Sequence, residues 1–196
     1  MLFVSPLSNP IKAFSTGTPN TRIRRFGLFS LLAAGLLAAD PFSVSLAATP
    51  TNDLMLVNVQ TNKCLTIAGG RSLENNVTAL QFDCDSDPSR SWKITNVTGT
   101  SSYQIKNVQT NKCLTIAGGR SLENNVTALQ FDCDSDPSRR WRITDVTGAG
   151  VYQIRNVQTN KCLTIAGGRS LENNVTALQF NCDSDPSRRW TLRVKL

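Results

Sequence analysis

The sequence predicts an all-β fold made of three copies of one unit. Two observations carry this: a strict 49-residue period, and four short β-patterned runs within each period. Cys64, Cys113 and Cys162 are spaced by 49, as are Cys84, Cys133 and Cys182, and Trp92, Trp141 and Trp190. From Asn58 to Arg90 and from Asn107 to Arg139 the sequences are identical; the third copy, Asn156 to Arg188, differs only in having Asn181 where the second has Asp132. A fixed period of this kind marks a repeat architecture, in which each unit buries its apolar face only against its neighbours.

The elements follow in order. The runs Leu54 to Val57, Tyr103 to Lys106 and Tyr152 to Arg155 open the units. In the first unit Cys64 to Ala68 reads as a second strand, Thr78 to Cys84 as a third and Trp92 to Val97 as a fourth. Turn residues separate them: Gln60 to Lys63, Gly69 to Ser72, Asp85 to Ser89, and Thr98-Gly99. Short strands with turn signals every 8–12 residues or so indicate a sandwich, a barrel or a propeller. Three units of four strands make twelve. A three-bladed propeller would leave its blades poorly closed, whereas a barrel with threefold symmetry closes its edges. The expected fold is therefore a β-trefoil over residues 49–196, with repeats at about 51–100, 101–149 and 150–196.

Residues 1–48 read differently. Lys12, Arg22, Arg24 and Arg25 precede a 14-residue apolar run, Phe26 to Ala39, and the small-residue stretch Ser43 to Ala48. A basic region, a short apolar region and an A-x-A-like end form a secretory signal pattern. The run falls short of the roughly 20 residues that span a bilayer, and an uncleaved anchor is the alternative. Arg24-Arg25 gives only a weak twin-arginine pattern, since Gly27 lies where a bulky residue is usual. Cleavage is expected near Ala47-Ala48, with a secreted, periplasmic or cell-surface product and no membrane span in the mature form. Of the 21 basic and 14 acidic residues, four and one lie in this segment, leaving about +4. So mild a charge gives no reason to expect a nucleic-acid partner, and it leaves glycans open.

Six cysteines in three equally spaced pairs read as a disulfide framework in an exported protein. The repeat argues for one bridge per unit: Cys64–Cys84, Cys113–Cys133 and Cys162–Cys182. Each closes a loop worth roughly 3 kcal/mol in the chain-entropy model. Zinc is disfavoured, because the chain has no histidine and no Cys-x-x-Cys. If Cys64 and Cys84 face each other on antiparallel strands, Thr66 is expected opposite Phe82 and Ala68 opposite Leu80, all on one side of the hairpin.

Asn-Val-Gln-Thr-Asn-Lys-Cys-Leu-Thr-Ile, a second cysteine 20 residues after the first, and a Trp eight further on resemble the ricin B-type (R-type) β-trefoil lectin repeat. The resemblance covers residues 54–196. It implies a carbohydrate-binding module of a kind found alone, attached to glycosidases, or as a toxin targeting subunit. The family's Gln-x-Trp signature, whose Trp packs in the core, reads here Arg90-Ser91-Trp92, Arg139-Arg140-Trp141 and Arg188-Arg189-Trp190. Galactose-binding members carry an Asp two residues after the first cysteine; this chain has Thr66, Thr115 and Thr164. The aromatic two before the second cysteine is retained as Phe82, Phe131 and Phe180, while the Gln four before it is Leu80, Leu129 and Leu178. A sugar site here must be built differently from the galactose set.

The expected site is one per repeat: Thr66, Phe82, Asp85, Ser89 and Arg90; Thr115, Phe131, Asp134, Ser138 and Arg139; Thr164, Phe180, Asp183, Ser187 and Arg188. Each residue has a plainer role open to it. Phe82 shares its strand face with Leu80 and Cys84, as a core residue would. Arg90 and Arg139-Arg140 either pair with Asp85, Asp87 and their copies or hold an anionic ligand such as a uronic or sialic acid. The carboxylates of Asp83-Cys84-Asp85-Ser86-Asp87 alternate as in a calcium loop. Pro88 stands where an EF-hand needs Gly, however, and turn capping explains them better. Glu74, Asn75 and Asn76 sit on the loop between the second and third strands. Asn76-Val77-Thr78 and Asn96-Val97-Thr98 match the N-glycosylation acceptor pattern.

No histidine, nucleophile motif or metal constellation points to an enzyme, and no cofactor is expected. Three copies of a binding site offer multivalency, which raises avidity by roughly 10²–10⁴ over one site. Glycans or glycoconjugates are the expected partners. The alternative is a trefoil that docks on a cell-surface or toxin partner protein without sugar.

Overall fold

The structure, a computed structural model, is described for residues 53–195. The expected signal segment and its cleavage point lie outside them.

Among the described residues there are twelve strands and no α-helix. The first repeat contributes β1 (Leu54–Asn58), β2 (Cys64–Ile67), β3 (Ala79–Phe82) and β4 (Trp92–Asn96). The second contributes β5 (Tyr103–Asn107), β6 (Cys113–Ile116), β7 (Val126–Phe131) and β8 (Trp141–Asp145). The third contributes β9 (Val151–Asn156), β10 (Cys162–Ile165), β11 (Ala177–Phe180) and β12 (Trp190–Val194). Each sequence-expected strand is present: the opening strand of each unit runs one or two residues longer than expected, and in the first unit the second and fourth are one residue shorter and the third is three shorter.

Two layers result. The pairings β1–β4, β4–β5, β5–β8, β8–β9, β9–β12 and β12–β1 close a six-stranded antiparallel barrel. The hairpins β2–β3, β6–β7 and β10–β11 form a cap, joined by β7–β11 pairing and by bridges from Thr78 to Leu129 and Leu80 to Thr176. A closed barrel under a threefold cap is a β-trefoil. Closure leaves the barrel without an edge strand to cover.

The core lies where the layers meet. Leu56, Ile105 and Ile154 point inward from the barrel, and Leu65, Ile67 and Ala79 with their copies point inward from the cap. Trp92, Trp141 and Trp190 are fully buried between them. Each indole N–H donates to a carbonyl of the same repeat's second strand, from Trp92 Nε1 to Leu65 O at 2.9 Å. An aromatic buried this deeply needs that acceptor for its polar atom.

Buried amides tie the repeats to one another. The Asn58 side chain accepts from the N–H groups of Gln60 and Thr61, which shapes the β1–β2 turn. Its amide donates to Ser187 O of the third repeat; Asn107 and Asn156 do the same to Ser89 O and Ser138 O. The chain of contacts thus closes on itself. The three disulfides are the intra-repeat pairs expected, and no cysteine is free.

The expected hairpin register is off by two. Cys64 pairs with Phe82, and Thr66 with Leu80. The cause is that β3 ends at Phe82, so Cys84 lies beyond the ladder and reaches Cys64 from outside it, with Cα atoms 5.1 Å apart. A slip of two preserves the alternation of faces. Thr66, Leu80 and Phe82 still share a side, while Leu65, Ile67, Ala79 and Gln81 face the core. Phe82 is therefore on the face away from the core and only half-buried.

Candidate functional site

Each repeat forms one shallow cleft on the outer face of its cap hairpin. The three have volumes of about 210, 200 and 190 Å³ in chain order. That is below the roughly 300–1,000 Å³ of pockets that enclose drug-sized ligands, and it suits a single small ring.

The floor is built from a short local motif. Asp87-Pro88-Ser89-Arg90 forms a 3-10 turn with Pro88 at its start, and the Asp87 carboxylate accepts from the Ser89 N–H at 2.8 Å. Thr66 on β2 holds this turn down. Its hydroxyl donates to Ser89 O at 3.2 Å and lies 3.1 Å from Ser89 Oγ. Both residues are buried. Gly70 permits the close approach: its φ is +69°, and a Cβ there would stand 3.1 Å from Ser89 Oγ. The same contact recurs at Gly119 and Gly168.

Phe82 and Arg90 form one wall. The guanidinium of Arg90 stacks over the Phe82 ring at 4.4 Å, and the copies Arg139–Phe131 and Arg188–Phe180 do so at 4.3 Å. Arg90 also pairs with Asp85 at 3.2 Å and Asp87 at 3.4 Å, and donates to Asp83 O and Ser89 Oγ. Its side chain is only 11% exposed. Hydrogen bonds from the hydroxyl and N–H of Ser89, then the Arg90 charge, hold the Asp87 carboxyl below its ordinary range; Asp136 and Asp185 behave alike.

Of the residues expected from sequence, Thr66, Phe82, Ser89 and Arg90 and their copies line one cleft per repeat. Asp85, Asp134 and Asp183 do not. They lie outside the lining, paired to the arginine, and Asp87, Asp136 and Asp185 take the place expected of them. The alternating carboxylates have other uses: Asp83 pairs with Lys63 at 2.6 Å, and Asp85 and Asp87 serve the turn and Arg90. Of the two roles open to Arg90, it takes the pairing with Asp85 and Asp87.

Two sets of lining residues lie outside the expected site set, one of them including Asn76 of the β2–β3 loop. Arg71, Arg120 and Arg169 stand at the rim, after the paired glycines of the β2–β3 loop and its counterparts. Asn174, Asn76 and Asn125 enter from a neighbouring repeat: Asn76 reaches the second cleft, Asn125 the third and Asn174 the first. The Gln130 amide in β7 donates to Ser72 O and Glu74 O of the preceding repeat's loop, and Asn75 bonds Asp132. These contacts deliver Asn76 to the rim. It holds φ +66°, which Asn tolerates better than most residues.

The sequence profile of the ricin-type β-trefoil lectin domain-like family matches residues 42–132, 99–181 and 137–195. The chain belongs to this family. No curated protein sequence matches it. Among solved structures, a designed threefold symmetric protein, ThreeFoil, aligns with TM-score 0.68 and 19% identity, over 74% of this chain and 99% of the design. The Clostridium thermocellum exo-β-1,3-galactanase 1,3Gal43A aligns with TM-score 0.69 and 23% identity, over 74% of this chain but only 30% of the enzyme. The Macrolepiota procera ricin B-like lectin, solved with lactose, aligns with TM-score 0.63 and 14% identity, over 75% of this chain and 98% of the lectin. At these identities the likeness is one of fold. As a ricin-type lectin fold, the chain has the architecture of a carbohydrate-binding module.

Proposed function

We propose that the chain is an exported, non-catalytic lectin-like module whose three clefts bind one small glycan unit each and act together by avidity. The observation that carries this reading is the recurrence of one cleft, with the same lining, in all three repeats. The lining offers an apolar wall from Phe82, acceptors from Asp87 and Asn174, and a cation from Arg71. A net hydrogen bond contributes only about 1 kcal/mol, so each shallow cleft holds its sugar weakly. Engagement of several clefts by one multivalent surface multiplies the affinity. Export through the N-terminal segment agrees with the three disulfides, which persist in oxidising compartments.

A second reading, docking on a protein without sugar, draws on one feature. Leu73, Leu122 and Leu171 are each 65% exposed on the loops between the clefts. A glycan array with the disulfide-bonded protein separates the readings, because a protein-docking trefoil would leave every glycan unbound. In the lectin reading, Phe82→Ala lowers avidity in part, and Phe82→Ala, Phe131→Ala and Phe180→Ala together abolish it. Thermal melting checks the fold of each variant. Full binding by a folded triple variant would refute the three-cleft reading. Intact mass of the secreted product tests cleavage near Ala47-Ala48.

A further inference from the structure

We propose that the clefts select sugars bearing a carboxylate, and that Arg71, Arg120 and Arg169 do the selecting. This rests on the reading of the clefts as sugar sites and names the class of sugar.

The two cations of each cleft are in opposite situations. Arg90 is stacked on Phe82, ion-paired to Asp85 and Asp87, and almost wholly covered. It has no charge to spare for a ligand. Arg71 lines the same cleft, is exposed, and among the described residues forms no ion pair and no side-chain hydrogen bond. Arg120 and Arg169 match it in the other clefts. The carboxylate in the lining is already engaged, since Asp87 Oδ1 takes the Ser89 N–H and lies 3.4 Å from Arg90 Nη1. Arg71 is thus the cation of the cleft whose hydrogen-bonding fork is unused among the described residues: its charge helps to keep Asp87 ionised, as Arg120 and Arg169 do for Asp136 and Asp185, without a direct ion pair.

Its base is well defined. Gly69 and Gly70 both have positive φ, and the Arg71 N–H donates to Gly69 O at 2.9 Å, so the side chain leaves a tight turn at the rim. A guanidinium presents a planar fork that takes a carboxylate through two parallel hydrogen bonds, stronger than those to a neutral hydroxyl. A uronic or sialic acid ring seated against Phe82 would turn its carboxylate toward Arg71 at the rim of the same cleft.

An array of uronic-acid and sialic-acid glycans tests this, each printed beside its carboxyl-reduced neutral counterpart. The wild-type protein should bind acidic members of one or both classes, weaken as salt is raised, and lose binding to the reduced counterparts. The pattern across the array tells uronic from sialic acid. Arg71→Gln, Arg120→Gln and Arg169→Gln together should leave the melting temperature unchanged and cost about tenfold per engaged cleft. The corresponding lysine variants, which keep the charge but lose the fork, should fall between. Equal binding to neutral counterparts, or an acidic preference that survives the glutamine variant, would overturn the proposal and leave the cleft reading standing. Wild-type protein that binds no glycan would overturn both.

Discussion

Between the first two repeats, none of the 33 positions from Asn58 to Arg90 differs from its counterpart, whereas nine of the sixteen remaining positions, 51–57 and 91–99, do. The first set builds the cap and its clefts; the second is mostly barrel strand and barrel loop. The barrel changes as packing alone would allow. Inward positions stay apolar, as in Leu56, Ile105 and Ile154, and the tryptophan is kept. Outward positions vary freely, as in Met55, Gln104 and Gln153, or Lys93, Arg142 and Thr191. The cap is held identical even where it is exposed, at Arg71 and Leu73. The contrast teaches that the identical residues are the ones around the clefts, while most of the varying ones lie on the outer face and loops of the barrel.

The sharpest break of this comparison removes what both regions share. Trp141→Ala empties a fully buried site between barrel and cap and orphans the Leu114 carbonyl. A loss of about 3–5 kcal/mol is expected in denaturant unfolding, and binding should fall only as far as folding does. Asn107→Ala is the next in size. It removes the buried amide that shapes its own turn and reaches Ser89 O under the first cleft. A cost of about 1–3 kcal/mol follows from leaving those partners unpaired, and the first cleft should weaken more than the other two.

Acid should act on the cap before the barrel. The folded state lowers the pKa of Asp87, Asp136 and Asp185 below the ordinary 3.8. Their contribution is therefore complete above that value and is lost as the pH falls through the lowered one. Thermal melts across the acid range should show this decline, and Asp87→Asn, Asp136→Asn and Asp185→Asn together should make it shallower, leaving the part that Asp83, Asp132 and Asp145 contribute in the same direction. The smallest effect belongs to the barrel's outer face. Lys93→Thr puts the third repeat's residue into the first, at an exposed position, and should change stability by no more than about 0.5 kcal/mol. The melting temperature of that variant checks it, with glycan binding unchanged.

Much of this was legible in one dimension. The period of 49 announced three units, and turn residues between alternating runs announced four strands in each. The cysteine pairs followed from the repetition, and the buried tryptophans from their place at the start of the fourth strand. Thr66, Phe82, Ser89 and Arg90 line one cleft because they lie on one hairpin face and the turn beyond it. Asp87 rather than Asp85 lines the cleft, a difference the sequence hides because carboxylates two apart in a turn look alike until the turn's hydrogen bonds are formed. Arg71 carried a signal that was available: an arginine directly after two turn glycines, repeated three times, on a loop with no regular pattern to satisfy.

By itself, the sequence determined the all-β class, the threefold repetition, the bridges and the strand order, because each of these is written in spacing and alternation along a single chain. The tertiary structure decided the hairpin register, the pairing of Arg90 against the freedom of Arg71, and the arrival of Asn76, Asn125 and Asn174 in the clefts of their neighbours. A two-residue slip keeps every side chain on its face, so the alternation of apolar and polar residues cannot detect it. The asparagines reach the clefts only because the closed ring of repeats brings each loop against the next hairpin, and that proximity has no trace in the order of residues within one repeat.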